Sequence, residues 1–296
     1  VTTPEPTRRE LLATCWTTAG DAVPLPGRDD SPIPLRERIE QAGKAGFSGF
    51  GVVHNDLERY LADSSLDELG RIFAANGITS VELEFLTDWW KPDEERRESD
   101  RIFRFLLDAT EALHPHHVKV GPDITGGEHD PALWAERWYG LSDAFANVGT
   151  VIALEFMPFS NIRTLDEAIE LVTTANHPAG GLMVDFWHIM RGGPNELRRL
   201  EDVPLEWIKG VELNDGDLEQ IDDGYSDTVL RRRIPGQGAW PVPQFIRTLE
   251  SKGWTGPWGV EILSETYRVR ALDEVLPEVV AATRHQFELA ETVEAQ

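Results

Sequence analysis

The sequence predicts one (β/α)8 barrel, and three observations carry that expectation. Strand-like and helix-like patterns alternate along the 296 residues. The unit recurs about every 35 residues, as eight βα units in one barrel require, and no Ser- or Gly-rich linker divides the chain. Four hydrophobic runs in the second half each carry an acidic residue at or near their C-terminal end, ahead of a loop and a helical pattern: VIALEF (Glu155), GLMVDFWH (Asp185), KGVELND (Glu212) and PWGVEIL (Glu261).

The elements follow from local pattern. Apolar or β-branched runs fall at 11–17, 47–54, 78–86, 116–121, 150–157, 181–187, 208–213 and 257–263. Amphipathic helical patterns lie at 34–45, 65–76, 92–113, 132–148, 165–175, 194–201, 241–253 and 272–290. Gly46, Gly77, Gly149, Gly180 and Gly253 each follow a helical pattern, where a left-handed cap is wanted. Thr164 precedes LDEAIELV with Glu167 three residues on, the spacing of a capping box. The sixth helix is short and broken by proline, and the loop after the seventh strand, 214–240, is the longest at that end. A doubly wound sheet would need a glycine-rich GxGxxG turn after its first strand. LLATCWTTAG is followed by none.

Composition bounds the function. The chain has 28 basic against 52 acidic residues, a net charge of −24, which repels phosphate backbones and anionic membranes and argues against a nucleic-acid partner. No run of apolar residues is long enough for a membrane span. The segment 1–10 reads as a disordered lead-in without the order of a secretion signal, and 11–296 as the barrel. The single cysteine, Cys15, rules out an internal disulfide, fits a reducing cytoplasmic setting, and lies in an apolar run as a packing residue would.

A buried carboxylate costs several kcal/mol, of order 3–5 when unpaired, unless something compensates it. Four at the same relative position, the C-terminal ends of barrel strands where active sites form, share one economical partner, a divalent cation. Glu155, Asp185, Glu212 and Glu261 are therefore the candidate ligands. Other polar strand ends at the same rim are Trp16, Thr17, His54, Glu82, Glu84, Lys119, Asp123, His188 and Asn214.

The segments VIALEF, VDFWHIMRGG, VELNDGD, RRRIPGQGAW and WGVEIL resemble the xylose-isomerase-like barrel superfamily of sugar phosphate isomerases and epimerases. The resemblance runs from the first strand to the last. It implies one divalent cation held by carboxylates of strands five, six and eight, onto which Glu155, Asp185 and Glu261 map, with a histidine from strand seven. This chain departs at that point, carrying Glu212 in VELND where many relatives have VHLKD. An all-oxygen shell favours Mn²⁺ or Mg²⁺ over Zn²⁺. The resemblance further implies His188 as a substrate contact. Glu155 and Glu261, from non-adjacent strands, are the expected alternating base and acid around an enediolate, and Arg191, three residues beyond His188, is the expected ligand of an anionic group.

The remaining candidates come from their positions. Arg231, Arg232 and Arg233 stand together in an acidic chain, and one of them, with Arg233 as the candidate, is placed to bind a substrate anion over the mouth; a solvated cluster paired with Asp222, Asp223 and Asp227 is the alternative. Gly236-Gln237-Gly238 reads as a turn. Trp16, Trp89, Trp90, Trp187, Trp240 and Trp258 lie near the rim, and two or three are expected to wall the mouth. His54 reads as a substrate ligand or a hydrogen-bonded strand end, and Lys119 as a partner of Glu84 or of an oxyanion. The histidines at 114, 116 and 117 precede the fourth strand, at the opposite end. The expected activity is isomerisation or epimerisation of a sugar-like ketone, by a chain able to form a homo-oligomer. The rivals are a lyase or dehydratase on the same scaffold, resembling inosose or dehydroshikimate dehydratases or keto-glycoside-cleaving enzymes, and a non-catalytic sugar-binding barrel. The superfamily's DNA-repair branch needs more histidines and a basic face, which this chain lacks.

Overall fold

The apolar runs fold as eight parallel strands that pair in chain order and close on themselves, the first strand bonding to the eighth. The computed structural model describes residues 9–25 and 27–292. The chain begins β1 (Leu11–Ala13), α1 (Cys15–Thr18), α2 (Leu35–Ala45), β2 (Gly49–Val53), α3 (His54–Leu61), α4 (Leu66–Ala75), β3 (Ser80–Leu86), α5 (Arg97–Leu113), β4 (His117–Val120) and α6 (Pro131–Asn147). It continues β5 (Ile152–Glu155), α7 (Leu165–Ala175), β6 (Gly180–Asp185), α8 (Phe186–Gly192), α9 (Glu196–Leu200), β7 (Ile208–Leu213), α10 (Gly224–Leu230), α11 (Val242–Ser251), β8 (Trp258–Val260) and α12 (Leu272–Thr292).

The strands are shorter than the apolar runs because several runs turn helical at their ends. The first run stops at Ala13 and coils into α1. The sixth stops at Asp185, whose Oδ1 accepts the Trp187 N–H at 2.9 Å and so caps α8. The short helices α1, α3, α8 and α10 were not separate patterns in the sequence. Gly46 takes φ 105° and caps α2 as expected. Gly180 does not cap: Asn176, at φ 52°, ends α7, and Gly180 opens β6, where a Cβ would run into Ser142 Oγ and Trp138 Nε1. Thr164 Oγ1 accepts the Glu167 N–H at 3.2 Å, but Glu167 reaches back to the Arg163 N–H, so the box is offset by one residue.

Residues 1–8 and 293–296 lie outside the described residues. Arg9 and Glu10, assigned to the lead-in by the sequence, are tied to the barrel. Arg9 pairs with Glu250 and with Glu291 at 2.7 Å, and the Glu10 carbonyl accepts the Trp258 N–H at 2.8 Å. Among the described residues no helix is long and apolar enough to cross a membrane.

The apolar core lies between strands and helices rather than inside the barrel. Trp89 packs against Trp134 and Trp138, Phe186 stacks on Phe245, and Trp258 meets Phe287. The loop after β7 is held by one buried carboxylate. Asp215 accepts N–H groups of Gly216, Gly236, Gly238 and Trp240 at 2.8–3.0 Å. Gly236-Gln237-Gly238 is therefore a turn whose glycine amides are already taken up. Asp215→Ala leaves these donors unmatched; a loss of about 3 kcal/mol is expected in urea unfolding.

Candidate active site

Residues two apart along a strand share a face. In β3 that brings Glu82 and Glu84 to the barrel axis, in β4 His117 and Lys119, and in β6 Met183 and Asp185. Register sets Glu82 beside His117 and Asp185 beside Glu212. Glycines make room for this charged interior: a Cβ on Gly51 would stand 3.0 Å from Glu82 Oε1, and one on Gly259 would stand 2.9 Å from Glu212 Cγ.

Glu155, Asp185, Glu212 and Glu261 are all buried and offer carboxylate oxygens that lie within 4.8 Å of one another. Glu155, Asp185 and His188 form a second such group, with His188 Nε2 at 3.2 Å from Glu155 Oε1 and 3.5 Å from Asp185 Oδ2. Lys119, 1% exposed, brings Nζ to 2.6 Å from Glu212, 3.0 Å from Glu261, 3.3 Å from Glu84, 3.7 Å from Glu82 and 4.0 Å from Glu155. Arg232 Nη1 lies 2.7 Å from Asp185 and 2.9 Å from Glu261. Asn214 donates to Asp185 Oδ1 at 2.7 Å.

Electrostatics separates these carboxylates. Burial, with repulsion from Glu261, drives the Glu212 carboxyl well above its ordinary range, outweighing Lys119. Burial likewise raises Glu261 against Lys119 and Arg232, and pushes Glu84 up to about 8. Burial opposes the charge on Asp185 too, but Arg232, His188 and the hydrogen bonds from Asn214 and the Trp187 N–H together hold it low. The ammonium of Lys119 is desolvated, yet the carboxylates around it, Glu212 first, raise it well above the usual lysine range.

The residues fit a divalent cation. Both Glu212 oxygens are buried and accept no hydrogen bond; the Lys119 contact is an ion pair without hydrogen-bond alignment. His188 Nδ1 is also buried without a partner. Among the described residues, six carboxylates (Glu82, Glu84, Glu155, Asp185, Glu212, Glu261) face two Lys or Arg side chains, Lys119 and Arg232. Oxygen donors converging with excess negative charge suit a hard cation.

Above this centre opens a cavity of about 210 Å³, with Glu84, Lys119, Glu155, His188, Arg232 and Glu261 on its floor and walls. The rest of its wall is mostly apolar, including Trp16, Phe85, Phe159, Tyr225 and Leu263, with Thr87 and Thr228 among them. Of the rim tryptophans only Trp16 lines it. Trp89 and Trp90 pack outside the barrel, and Trp187 donates to Thr228 Oγ1 at 2.9 Å and packs at a tilt against Trp240. The aromatic wall comes instead from Phe85, Phe159 and Tyr225, which the sequence reading missed.

Three expected substrate contacts lie elsewhere. Arg191 donates to Asp227 at 2.8 Å and to the Asp217 carbonyl at 3.0 Å, under the rings of Trp187 and Trp240. His54 Nδ1 accepts the Phe85 N–H at 3.4 Å. Arg233 is exposed and pairs with Asp217 at 2.8 Å. Its segment is extended, bridging Asp215 to Arg233 and Arg231 to Ser264, so alternation points Arg232 inward and its neighbours out. Arg233→Ala is expected to change stability by no more than about 0.5 kcal/mol. Arg232→Ala uncovers buried carboxylates and costs about 3–5 kcal/mol. Urea unfolding of the two variants separates these outcomes.

An eight-stranded parallel barrel with an acidic centre at its C-terminal mouth defines the class, and the family follows. The chain belongs to the xylose isomerase-like TIM barrel family, whose profile matches residues 39–286. It is 27% identical over 247 residues to a 3-dehydroshikimate dehydratase of Pseudomonas aeruginosa, covering 79% of this chain but only 37% of that protein's length. It is also 27% identical over 253 residues to an inosose isomerase of Halalkalibacterium halodurans, covering 82% of this chain and 87% of the relative. Among solved structures, the IOLI protein with a bound zinc atom superposes with a TM-score of 0.81 at 24% identity, over 94% of this chain and 97% of the other.

Proposed function

We propose that the chain is a divalent-metal-dependent isomerase or epimerase of a sugar-derived ketone. One observation carries the reading: four carboxylates from consecutive strands β5 to β8, or the residue just beyond β8, bring their oxygens within 4.8 Å of one another, and two of them, Glu155 and Glu261, line a small cavity. Glu155, Asp185, Glu212 and Glu261 would hold the cation, and their all-oxygen donor set favours Mn²⁺ or Mg²⁺. When bound, such an ion polarises a ketone and makes the neighbouring C–H more acidic.

The chain's own residues handle the proton. Glu155 and Glu261 come from strands that are not neighbours and both line the cavity, so a ring bound between them presents one face to each. One takes the proton beside the carbonyl, giving an enediolate, and the other returns a proton to the opposite face. His188 Nε2, next to Glu155, is placed to bind a hydroxyl, and the apolar wall of Trp16, Phe159 and Tyr225 fits the flat faces of a ring.

A dehydratase is the second reading, favoured by the match to the 3-dehydroshikimate dehydratase. It shares proton removal and then expels a β-hydroxyl in place of reprotonation. Incubation of metal-loaded protein with a panel of inososes, ketoses and 3-dehydroshikimate, followed by mass spectrometry and carbon NMR, tests both. An isomer of unchanged mass supports the first reading, loss of water the second, and unchanged substrates throughout contradict both.

A further inference from the structure

The centre carries a cation of its own, and the inference drawn from it rests on the metal reading above. Lys119, on β4, brings its ammonium to 2.6 Å from Glu212, 3.0 Å from Glu261 and 4.0 Å from Glu155. Three of the four side chains that would hold a metal thus already face one positive charge. Arg232 supplies the fourth, Asp185, at 2.7 Å. Without such charges, four buried carboxylates this close would repel one another strongly.

Lysine is a compact charge on a flexible four-carbon stem, and this one has a second seat within reach. Glu84 Oε2 lies 3.3 Å and Glu82 Oε1 3.7 Å from Nζ, and neither residue belongs to the four-carboxylate set. Glu82 is fixed from the other side by His117 Nε2 at 2.7 Å, while its Oε1 is buried and accepts no hydrogen bond. An acceptor held in place with a free oxygen is what an arriving ammonium needs. An ammonium and a divalent cation cannot both sit against Glu212 and Glu261 without strong repulsion.

We propose that Lys119 is a tethered counter-ion of the metal centre: its ammonium rests among Glu212, Glu261 and Glu155 in the metal-free protein and moves onto Glu82 and Glu84 when a divalent cation enters. The lysine holds the carboxylates together before loading and weakens metal binding by competing for the same oxygens. The metal site is then a displacement site, in which affinity depends on a residue that is not a ligand.

The test is calorimetric titration of Mn²⁺ into chelator-treated wild-type protein and Lys119→Met. Mn²⁺ binding about tenfold or more tighter in the variant, or seen only in the variant, supports the proposal. Binding of equal or lower affinity in a folded variant overturns it while leaving the metal reading intact. Binding to neither protein overturns both. Should the variant not fold, wild-type crystals grown with chelator and with Mn²⁺ decide. The Nζ atom of Lys119 on Glu82 and Glu84 beside a bound ion supports displacement, and Nζ still between Glu212 and Glu261 beside that ion contradicts it.

Discussion

Glu261→Gln is expected to abolish turnover, with a loss of about 10²–10⁴-fold, the range associated with removing a general acid or base. The substitution preserves shape and leaves an oxygen for the neighbouring cations. Lys119 still has Glu212 at 2.6 Å, and Arg232 still has Asp185 at 2.7 Å. The fold is therefore expected to survive, and circular dichroism with a thermal melt checks that it does. What is lost is a carboxylate able to carry a proton at the cavity floor. Glu155→Gln is expected to do the same from the other side, where Glu155 Oε1 lies 3.2 Å from His188 Nε2. Partial metal binding is the expected result in each variant, because three carboxylates of the set remain. Near-normal rates in either variant would sink the two-base proposal for that residue.

The second large effect is on stability. A ligand that binds only the folded state adds about 2.7 kcal/mol at a hundredfold excess over its Kd, which is a rise in melting temperature of about 4 °C for a chain this size. Treatment with a chelator followed by Mn²⁺ or Mg²⁺ is expected to lower and then restore the melt. The binding partner of Glu212 is the specific point at issue, since both of its buried oxygens lack a hydrogen-bond donor. Glu212→His is expected to shift selectivity toward softer ions such as Zn²⁺. Unchanged selectivity would remove Glu212 from the ligand set, and no response of the melt to any divalent ion would leave the four carboxylates without a metal.

Much of this centre was legible in the sequence because barrel geometry maps strand ends onto one rim. Glu155, Asp185, Glu212 and Glu261 each follow an apolar run, and a buried acid in such a run is conspicuous. Lys119 was visible on the same grounds, isolated in HVKVG, and the pairing with Glu84 was among its expected partners; its place amid five carboxylates was not. That place depends on side-chain length and on glycines at 51 and 259 that leave space across the barrel.

What could not be read concerned loops and direction. Three consecutive arginines look alike in sequence. Only the extended conformation of 231–233, set by bridges to Asp215 and Ser264, selects Arg232 for the interior and sends Arg233 to the surface. Arg191 sits one helical turn beyond His188 on α8, so its spacing pointed to the mouth. Its guanidinium is instead drawn to buried Asp227 on α10, a helix hidden within a loop. The tryptophans misled for a related reason: large rings near strand ends fill the layer between strands and helices as readily as they line a mouth. One signal for the buried network was available, the alternation Glu82, Glu84 within SVELEF, which places two acids on one strand face.

Proton transfer beside a ketone at this centre is tested most directly by solvent deuterium exchange. Metal-loaded protein in D₂O with inososes and ketoses, followed by proton NMR, is expected to replace the hydrogen next to the carbonyl of at least one compound with deuterium. The exchange should stop with chelator and in the double variant Glu155→Gln/Glu261→Gln. No exchange into any compound by protein carrying its metal, or exchange that continues unchanged in the double variant, would contradict enolisation by these carboxylates.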